Sequence, residues 1–386
     1  MKKICIIGGC GHIGIPLGLA LASKNFDVIL IDKNEESVNK INNKELPFQE
    51  VGADELLKKH IGLNLRATTK KEEIKNCSAI IFATATDIDK SMNPKTEEFL
   101  DVIKSYLNLI NKEQLIILRS TLFPGTMDVI NDLLKNTIGS TKLAYCPERI
   151  LQGKGIEELF NLPQIISATS EIAKKEANDI FSQLTQKTIY LEPKEAELAK
   201  LMTNTWRYIE FSIANQFYMI AEEAGLDFYK IYNAIKEDYP RANHFPKAGL
   251  TAGPCLYKDT VIFSEFCKHD SFLGHNSIII NDSLPSFLVR KLEKNMGSLK
   301  NKKIALLGLT FKPNNDDIRE SLSFKIKKEL EDKMAEVIVS DPYIKGTVDH
   351  KEAVEIADGI ILGVPHSEFI SLNPQKPYVD CWGVWG

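Results

Sequence analysis

The chain has no cysteine pair at C-x-x-C spacing, although its 386 residues include seven cysteines. A disulfide framework is marked by dense cysteines in a short chain, and a structural zinc site by closely spaced pairs. Neither is expected, and this cysteine usage fits a reducing, cytosolic compartment. No apolar run approaches the roughly 18 residues of a membrane helix, so no membrane partner is expected. Net charge is only −4, which gives no electrostatic reason to expect nucleic acid. The seven histidines show no metal-ligand spacing, and no metal is expected. His12 lies in a glycine turn and His366 follows a strand. Packing or hydrogen bonding suits either better than acting as a catalytic base. There is no low-complexity segment. What is present is an ordinary globular composition, 44% hydrophobic and 26% charged, long enough for two or three domains.

The N-terminus carries Lys2-Lys3, an apolar run and Ala20-Leu21-Ala22, which imitates a secretory signal. Gly8, Gly9, Gly11 and Gly14 interrupt that run and a strand-like segment follows it, so it is read as part of a fold. Lys3 to Ile7 reads as a buried parallel strand. Gly9-Cys10-Gly11-His12-Ile13-Gly14 follows, then a helix from Ile15 to Lys24 and a strand from Phe26 to Ile31. This is a dinucleotide fingerprint in its structural context. Glycines allow the backbone to approach a pyrophosphate, which sits on the helix N-terminus. Asp32 lies eighteen residues past Gly14, near the position of the acid that accepts a ribose 2′-hydroxyl. A carboxylate there repels a 2′-phosphate, which favours NAD over NADP. Gly9, Gly11, His12, Ile13, Gly14 and Asp32 are the expected cofactor residues.

Further α/β units follow. The strand Ala79 to Ala83 ends in Thr84-Ala85-Thr86, and Gln114 to Leu118 ends in Arg119-Ser120-Thr121. Ligands of open parallel sheets lie at the carboxyl ends of strands, so Thr84 and Thr86 are placed at the cofactor. Two roles fit Ser120 and Thr121 equally: contact with ribose or a reacting group, or capping of the next helix. Leu143 to Cys146 leads into Pro147-Glu148-Arg149-Ile150-Leu151. Glu148 there is either a helix-cap charge or a site acid.

Glu195 to Ala224 is the longest helical stretch, without Gly or Pro. Lys200, Asn204 and Arg207 share one face. Leu198, Leu201, Met202, Ile209, Ile213 and Phe217 surround the rest, so the helix is expected to be buried and its polar stripe to be a site. Ala252-Gly253-Pro254-Cys255-Leu256-Tyr257-Lys258-Asp259 follows. A thiol in a Gly-Pro turn, beside an ammonium and a carboxylate, suits a nucleophile as well as a buried cysteine. A helix starting near Cys255 puts Asp259 one turn on, on the same face.

Gly297 to Lys302 is the best linker. After it the strand and helix pattern restarts with Lys303 to Leu307, a helix Ser321 to Lys333, Glu336 to Ser340 ending in Asp341-Pro342, Gly359 to Val364 and Tyr378 to Cys381. The expected fold class is α/β: two Rossmann-like doubly wound domains joined by a long central helix. The segments are 1–190, 191–297 and 298–386.

The chain resembles the nucleotide-sugar 6-dehydrogenases, the UDP-glucose/GDP-mannose dehydrogenase family. The likeness is carried by Gly9 to Gly14, Pro147-Glu148-Arg149, Lys200 with Asn204, Cys255 with Lys258-Asp259, and Phe311-Lys312 with Asp317-Ile318-Arg319-Glu320-Ser321. It implies oxidation of C6 of a nucleotide-linked sugar from alcohol to carboxylate with two NAD. Cys255 is then the nucleophile, and Lys200 and Asn204 stabilise oxyanion charge. Asp259 and Glu148 serve proton transfer and water activation, with Thr121 near them and the cofactor. Lys312 binds substrate and Arg319 approaches the cofactor. Arg241 reaches the sugar of a neighbouring subunit, which implies a homodimer. Glu148, Arg149, Ile150, Leu151, Arg207, Gly249 and Gly253 complete the substrate set.

Some residues depart from the UDP-glucose pattern. Gly249-Leu250-Thr251-Ala252-Gly253-Pro254 replaces a Gly-x-Gly-Phe-Gly-Gly run, and Pro254 removes an N–H that faces the sugar. Gln152 stands in place of a Glu, and Asn215 is followed by Gln216 rather than an acid. Pro147-Glu148-Arg149 and Asn204-Thr205-Trp206-Arg207 look more like members acting on UDP-N-acetylhexosamines, and the reading leans to that class. UDP-glucose and GDP-mannose are the alternatives. A two-electron β-hydroxyacid dehydrogenase and a non-catalytic sugar-nucleotide-binding protein are the rival functions.

Overall fold

The computed structural model describes residues 2–385 apart from Lys90, Ser140, Thr141, Ala252 and His269. Ala252, at the head of the cysteine stretch, is therefore outside the described residues. The chain divides into two compact units, residues 1–202 and 203–386.

The first unit holds β1 (Lys3–Ile7), β2 (Asp27–Ile31), β3 (Leu65–Thr68), β4 (Ala79–Phe82), β5 (Leu115–Leu118), β6 (Leu143–Tyr145), β7 (Gln164–Ala168) and β8 (Thr188–Tyr190). They form one sheet in the order β3-β2-β1-β4-β5-β6-β7-β8. All neighbours are parallel except β6 and β7. Side chains alternate across a strand, so β1 feeds two cores. Ile4 and Ile6 join Leu17 and Leu30 on one face, while Cys5 and Ile7 join Ile80 and Ile116 on the other. Covering both faces is what makes these strands apolar throughout. The signal-like run is β1, the glycine turn and the first helix, Gly14–Ser23, with Ile15, Leu17, Leu19 and Leu21 fully buried in the first of those cores.

The second unit holds β9 (Lys303–Leu307), β10 (Glu336–Ser340), β11 (Gly359–Leu362) and β12 (Tyr378–Val379), all parallel, in the order β10-β9-β11-β12. Both sheets thus reverse their winding beside their first strand, between β1 and β4 and between β9 and β11. Ligands of such sheets bind at these switch points, beyond the carboxyl ends of the strands.

The long helix runs Pro193–Glu223, with the boundary between the units inside it. One expectation is corrected here. Met202, Trp206, Ile213, Phe217 and Ile220 are 39–60% exposed, whereas Lys200 and Asn204 are buried. The helix is not buried nearly all round, because apolar side chains face solvent along one side while polar ones are taken inside. The other boundaries fall within two residues of expectation, apart from strands shorter at their ends, as fraying ends do.

Candidate active site

The turn after β1 lies at the first unit's switch point. A Cβ on Gly9 would sit 2.7 Å from Leu30 Cα, and one on Gly14 2.5 Å from the Gly9 carbonyl oxygen. Only hydrogen fits, because the turn, β2 and the helix are in direct backbone contact. No side chain caps the helix that begins at Gly14; the Ile15 amide is taken by the Gly11 carbonyl at 3.0 Å and Pro16 has none, so the Gly14 amide and the turn before it are what this end offers an anion. Asp32, at the end of β2, accepts the amides of Cys10 at 3.1 Å and Asn34 at 3.0 Å. His12 stacks on Phe48 with ring centroids 3.8 Å apart. Thr84 Oγ1 is buried and has no hydrogen-bond partner among the described residues. A backbone cradle, an open helix end and an orphaned hydroxyl fit a dinucleotide.

The loops after β4 and β5 are tied together. Thr86 Oγ1 donates to the Thr121 carbonyl at 2.8 Å, and Ser120 Oγ donates to the Thr84 carbonyl at 2.6 Å. Gly125 is the N-cap of the next helix, which has no side-chain cap, so the capping alternative for Ser120 and Thr121 falls. Glu148 does not cap a helix either, since the next one begins at Gly155. Its Oε1 accepts the amides of Arg149 at 2.7 Å and Ile150 at 3.0 Å, and its Oε2 accepts Arg119 Nη2. Arg119 also donates Nη1 to the Cys146 carbonyl at 2.9 Å and to Gln164 Oε1 at 3.0 Å, and it lies over the Phe181 ring. Arg149 donates to the Pro163 carbonyl. Burial pulls its guanidinium below the usual value, against the opposing charge of Glu148. Ile150 packs on the core, whereas Leu151 is exposed and gives its amide to Glu158 at 2.5 Å. Lys200 is buried.

In the second unit the cysteine helix runs Pro254–Phe266. Gly253 is its N-cap at φ 95°, and Pro254 opens it. A proline there costs the helix no hydrogen bond, because the first amides of a helix have no partner within it. Cys255 comes next and is the one exposed cysteine of the seven. One turn on, Asp259 is fully buried. Asn204 Nδ2 donates to Asp259 Oδ2 at 2.6 Å, and the Lys258 ammonium is 3.9 Å from Oδ1.

The loop after β9 reaches the same turn. A Cβ on Gly253 would lie 2.6 Å from Phe311 Cδ2, and the Gly253 amide donates to the Glu320 carbonyl at 3.3 Å. Lys312 is next to Phe311, with its ammonium 5.8 Å from that ring. Arg319 is clasped by Asp317 through Nε at 3.0 Å and Nη2 at 2.6 Å. Gly249 lies under the Trp382 ring and donates its amide to Asn215 Oδ1 at 2.8 Å. Arg207 is half-buried on the long helix. Arg241 is exposed in the short turn Pro240–Ala242, stacked on Tyr239 at 4.7 Å.

Three anchoring residues escaped the sequence reading. Arg119 appeared there only as the head of a loop. Glu50 is buried and accepts the amides of Gly153 at 2.8 Å and Gly155 at 2.6 Å, with no motif to announce it. Asp341 accepts the amides of Leu309 at 2.6 Å and Thr310 at 3.2 Å. Its signal was available, since it follows the second strand of its unit as Asp32 does in the first.

Comparison with known proteins agrees with this geometry. Residues 2–185 match the NAD binding domain of the UDP-glucose/GDP-mannose dehydrogenase family, 194–279 its central domain and 305–385 its UDP binding domain. The UDP-N-acetyl-D-mannosamine dehydrogenase of Pyrococcus horikoshii is 31% identical, over 96% of this chain and 91% of that one. The enzyme of the same name from Methanocaldococcus jannaschii is 33% identical, over 97% and 88%. The solved structure of a UDP-D-ManNAc dehydrogenase from Pyrococcus horikoshii has a TM-score of 0.92 and 28% identity, covering 99% of this chain and 96% of that one. The chain belongs to the UDP-glucose/GDP-mannose dehydrogenase family, and is an NAD-dependent nucleotide-sugar dehydrogenase.

Proposed function

We propose that the chain oxidises C6 of UDP-N-acetyl-D-mannosamine from alcohol to carboxylate, through a covalent bond to Cys255. The substrate is supported by the names of the two archaeal relatives. The chemistry rests on one observation above all: an exposed thiol at a helix N-terminus, one turn from a buried carboxylate held by an amide. The two-electron β-hydroxyacid and binding-protein readings are set aside by the family match across all three segments.

NAD, held by Gly9, Gly11, His12, Ile13, Gly14, Asp32, Thr84, Thr86, Ser120, Thr121 and Arg319, supplies a hydride acceptor for each of the two oxidations. The residues of the chain do the rest. Asp259 takes the hydroxyl proton as C6 becomes an aldehyde. Cys255 Sγ adds to that carbon, and Lys200 and Asn204 bear the charge on its oxygen. A carboxamide has two N–H donors, and Asn204 gives one to Asp259. Loss of the second hydride leaves a thioester. Water placed by Glu148 and Thr121 attacks it, the C–S bond breaks, and the thiol is restored. Arg149, Ile150, Leu151, Arg207, Gly249, Gly253 and Lys312 hold the sugar nucleotide.

The same reading makes the chain a cytoplasmic homodimer that supplies uronic acid for surface polysaccharide. The exposed Trp206, Ile213, Phe217 and Ile220 support a second copy on the long helix, with Arg241 reaching across to it. No helix among the described residues is long and apolar enough to cross a membrane. The proposed segments 1–190, 191–297 and 298–386 are supported by matches at residues 2–185, 194–279 and 305–385.

The test is turnover of UDP-N-acetyl-D-mannosamine, UDP-N-acetylglucosamine, UDP-glucose and GDP-mannose with NAD, beside Cys255→Ser. Two NADH per UDP-N-acetyl-D-mannosamine and a stalled variant are expected. Full oxidation by the serine variant would overturn the covalent route, and turnover confined to another sugar would overturn the substrate.

A further inference from the structure

Lys312 sits in the loop that leaves β9, and that loop is fastened from across the sheet's switch point. His366 follows β11 and is fully buried, as is Thr310, with Asp341 almost so. His366 Nδ1 accepts the Asn314 amide at 3.0 Å. A ring nitrogen that accepts carries no proton, so the proton is on Nε2. Nε2 lies 3.2 Å from Asp341 Oδ2 and 3.2 Å from Thr310 Oγ1.

The hydroxyl of Thr310 has a single proton, and it goes to the Lys312 carbonyl at 2.9 Å. Its lone pair is then what faces His366. Asn314 is left-handed at φ 53°, a conformation that asparagine adopts more readily than other residues with a Cβ. Its amide is held by His366, and its side chain exchanges two bonds with Ser367, at 2.8 and 3.0 Å. One imidazole therefore bonds on both sides of Lys312: through Thr310 before it and the Asn314 amide after it.

We infer that His366 is the positioning residue of the substrate loop, setting the affinity of the second unit for the uridine diphosphate moiety. Its ring is fully buried and acts through the backbone of Lys312. The inference rests on the reading of Lys312 as a substrate-binding residue. The geometry separates two functions of the ring. Acceptance at Nδ1 holds Asn314, and donation from Nε2 holds Thr310 and Asp341. Asparagine at 366 keeps an acceptor near the place of Nδ1, whereas glutamine keeps a donor near that of Nε2.

The experiment titrates UDP into the full-length protein with NAD present, by calorimetry, alongside steady-state kinetics with the sugar nucleotide it turns over. His366→Gln is expected to weaken UDP binding and raise the sugar KM by about tenfold, the loss of one buried hydrogen bond. The change in kcat should be smaller than that in KM, and NAD affinity should hold. His366→Asn should recover most of the loss, which a merely structural role would not predict. A folded His366→Gln that binds UDP normally, while Lys312→Met binds weakly, overturns the inference and leaves the Lys312 reading standing. Normal UDP binding by Lys312→Met removes that reading and this inference with it. Equal weakening in the Asn and Gln variants also overturns it. Should His366→Gln fail to fold, His366→Ala removes the same acceptor for the Asn314 amide without a longer side chain, and unchanged UDP affinity there is equally decisive.

Discussion

The Asn204 carboxamide donates to the Asp259 carboxylate at 2.6 Å, with both side chains buried. Asn204 stands on the long helix and Asp259 one turn past the cysteine on another. Fifty-five residues separate them in sequence, so neither spacing nor periodicity predicts the pair. The bond joins the helix with the polar stripe to the helix that presents the thiol.

Asn204→Ala removes that donor from a buried carboxylate, a loss of about 1–3 kcal/mol. The melting temperature should fall, and kcat should fall by a larger factor than KM rises. Steady-state kinetics beside thermal melting checks both. A wild-type kcat in a destabilised protein would reduce the pair to a structural contact.

Gly253→Ala meets two obstacles at once. The residue is at φ 95°, and the new Cβ would lie 2.6 Å from Phe311 Cδ2. Together they should cost about 1–3 kcal/mol and shift the start of the cysteine helix. Denaturation and the rate of Cys255 alkylation should both change. Adding Phe311→Ala relieves the clash but not the backbone, so only part of the stability should return. Full recovery would show that the backbone conformation carries no strain.

Arg119→Met leaves the buried Glu148 without its cation. Breaking such a pair from one side costs about 3–5 kcal/mol, because the remaining charge keeps its desolvation penalty. Urea unfolding should show the loss, and adding Glu148→Gln should recover part of it. A loss under about 1 kcal/mol, as for an exposed pair, would contradict this.

Asp341 links stability to pH. Burial pushes its carboxyl up, but hydrogen bonds from His366 and the Leu309 amide more than offset that, and the net direction is down. A depressed carboxylate stabilises the fold above its unfolded value, near about 4, and the contribution is lost as pH falls through the folded value. The stability gap between wild type and Asp341→Asn should therefore be level from neutral pH to about 5 and close below about 4. Urea midpoints across that range measure it. A gap that widens toward acid would give the shift the opposite sign.

Phe217→Glu puts a charge in the exposed apolar side of the long helix, where Phe217 is 46% exposed and Ile213 and Ile220 lie one turn away on either side. If two copies meet there, sedimentation should show monomers, with secondary structure retained. A variant that sediments as the wild type does would remove this face from any interface.

The fold was legible wherever a local pattern forced it. Apolar runs marked β1, β9 and β10 to the residue, and the glycine turn was placed by its spacing between a strand and a helix; only hydrogen fits between that turn and β2. The long helix shows where pattern misleads. An apolar surround reads as buried, yet Trp206, Phe217 and Ile220 are exposed, and composition does not separate an exposed apolar face from a covered one.

By itself, the sequence determined the two α/β units and the dinucleotide turn, since each follows from neighbours within one supersecondary unit. Only the tertiary structure decided how the site is held. Arg119 beneath Glu148, Glu50 on the amides of Gly153 and Gly155, and His366 across the Lys312 loop join segments 29 to 105 residues apart. A polar side chain shows no periodicity to announce such a partner. Its role is set when the fold takes it out of water and leaves it one place to bond.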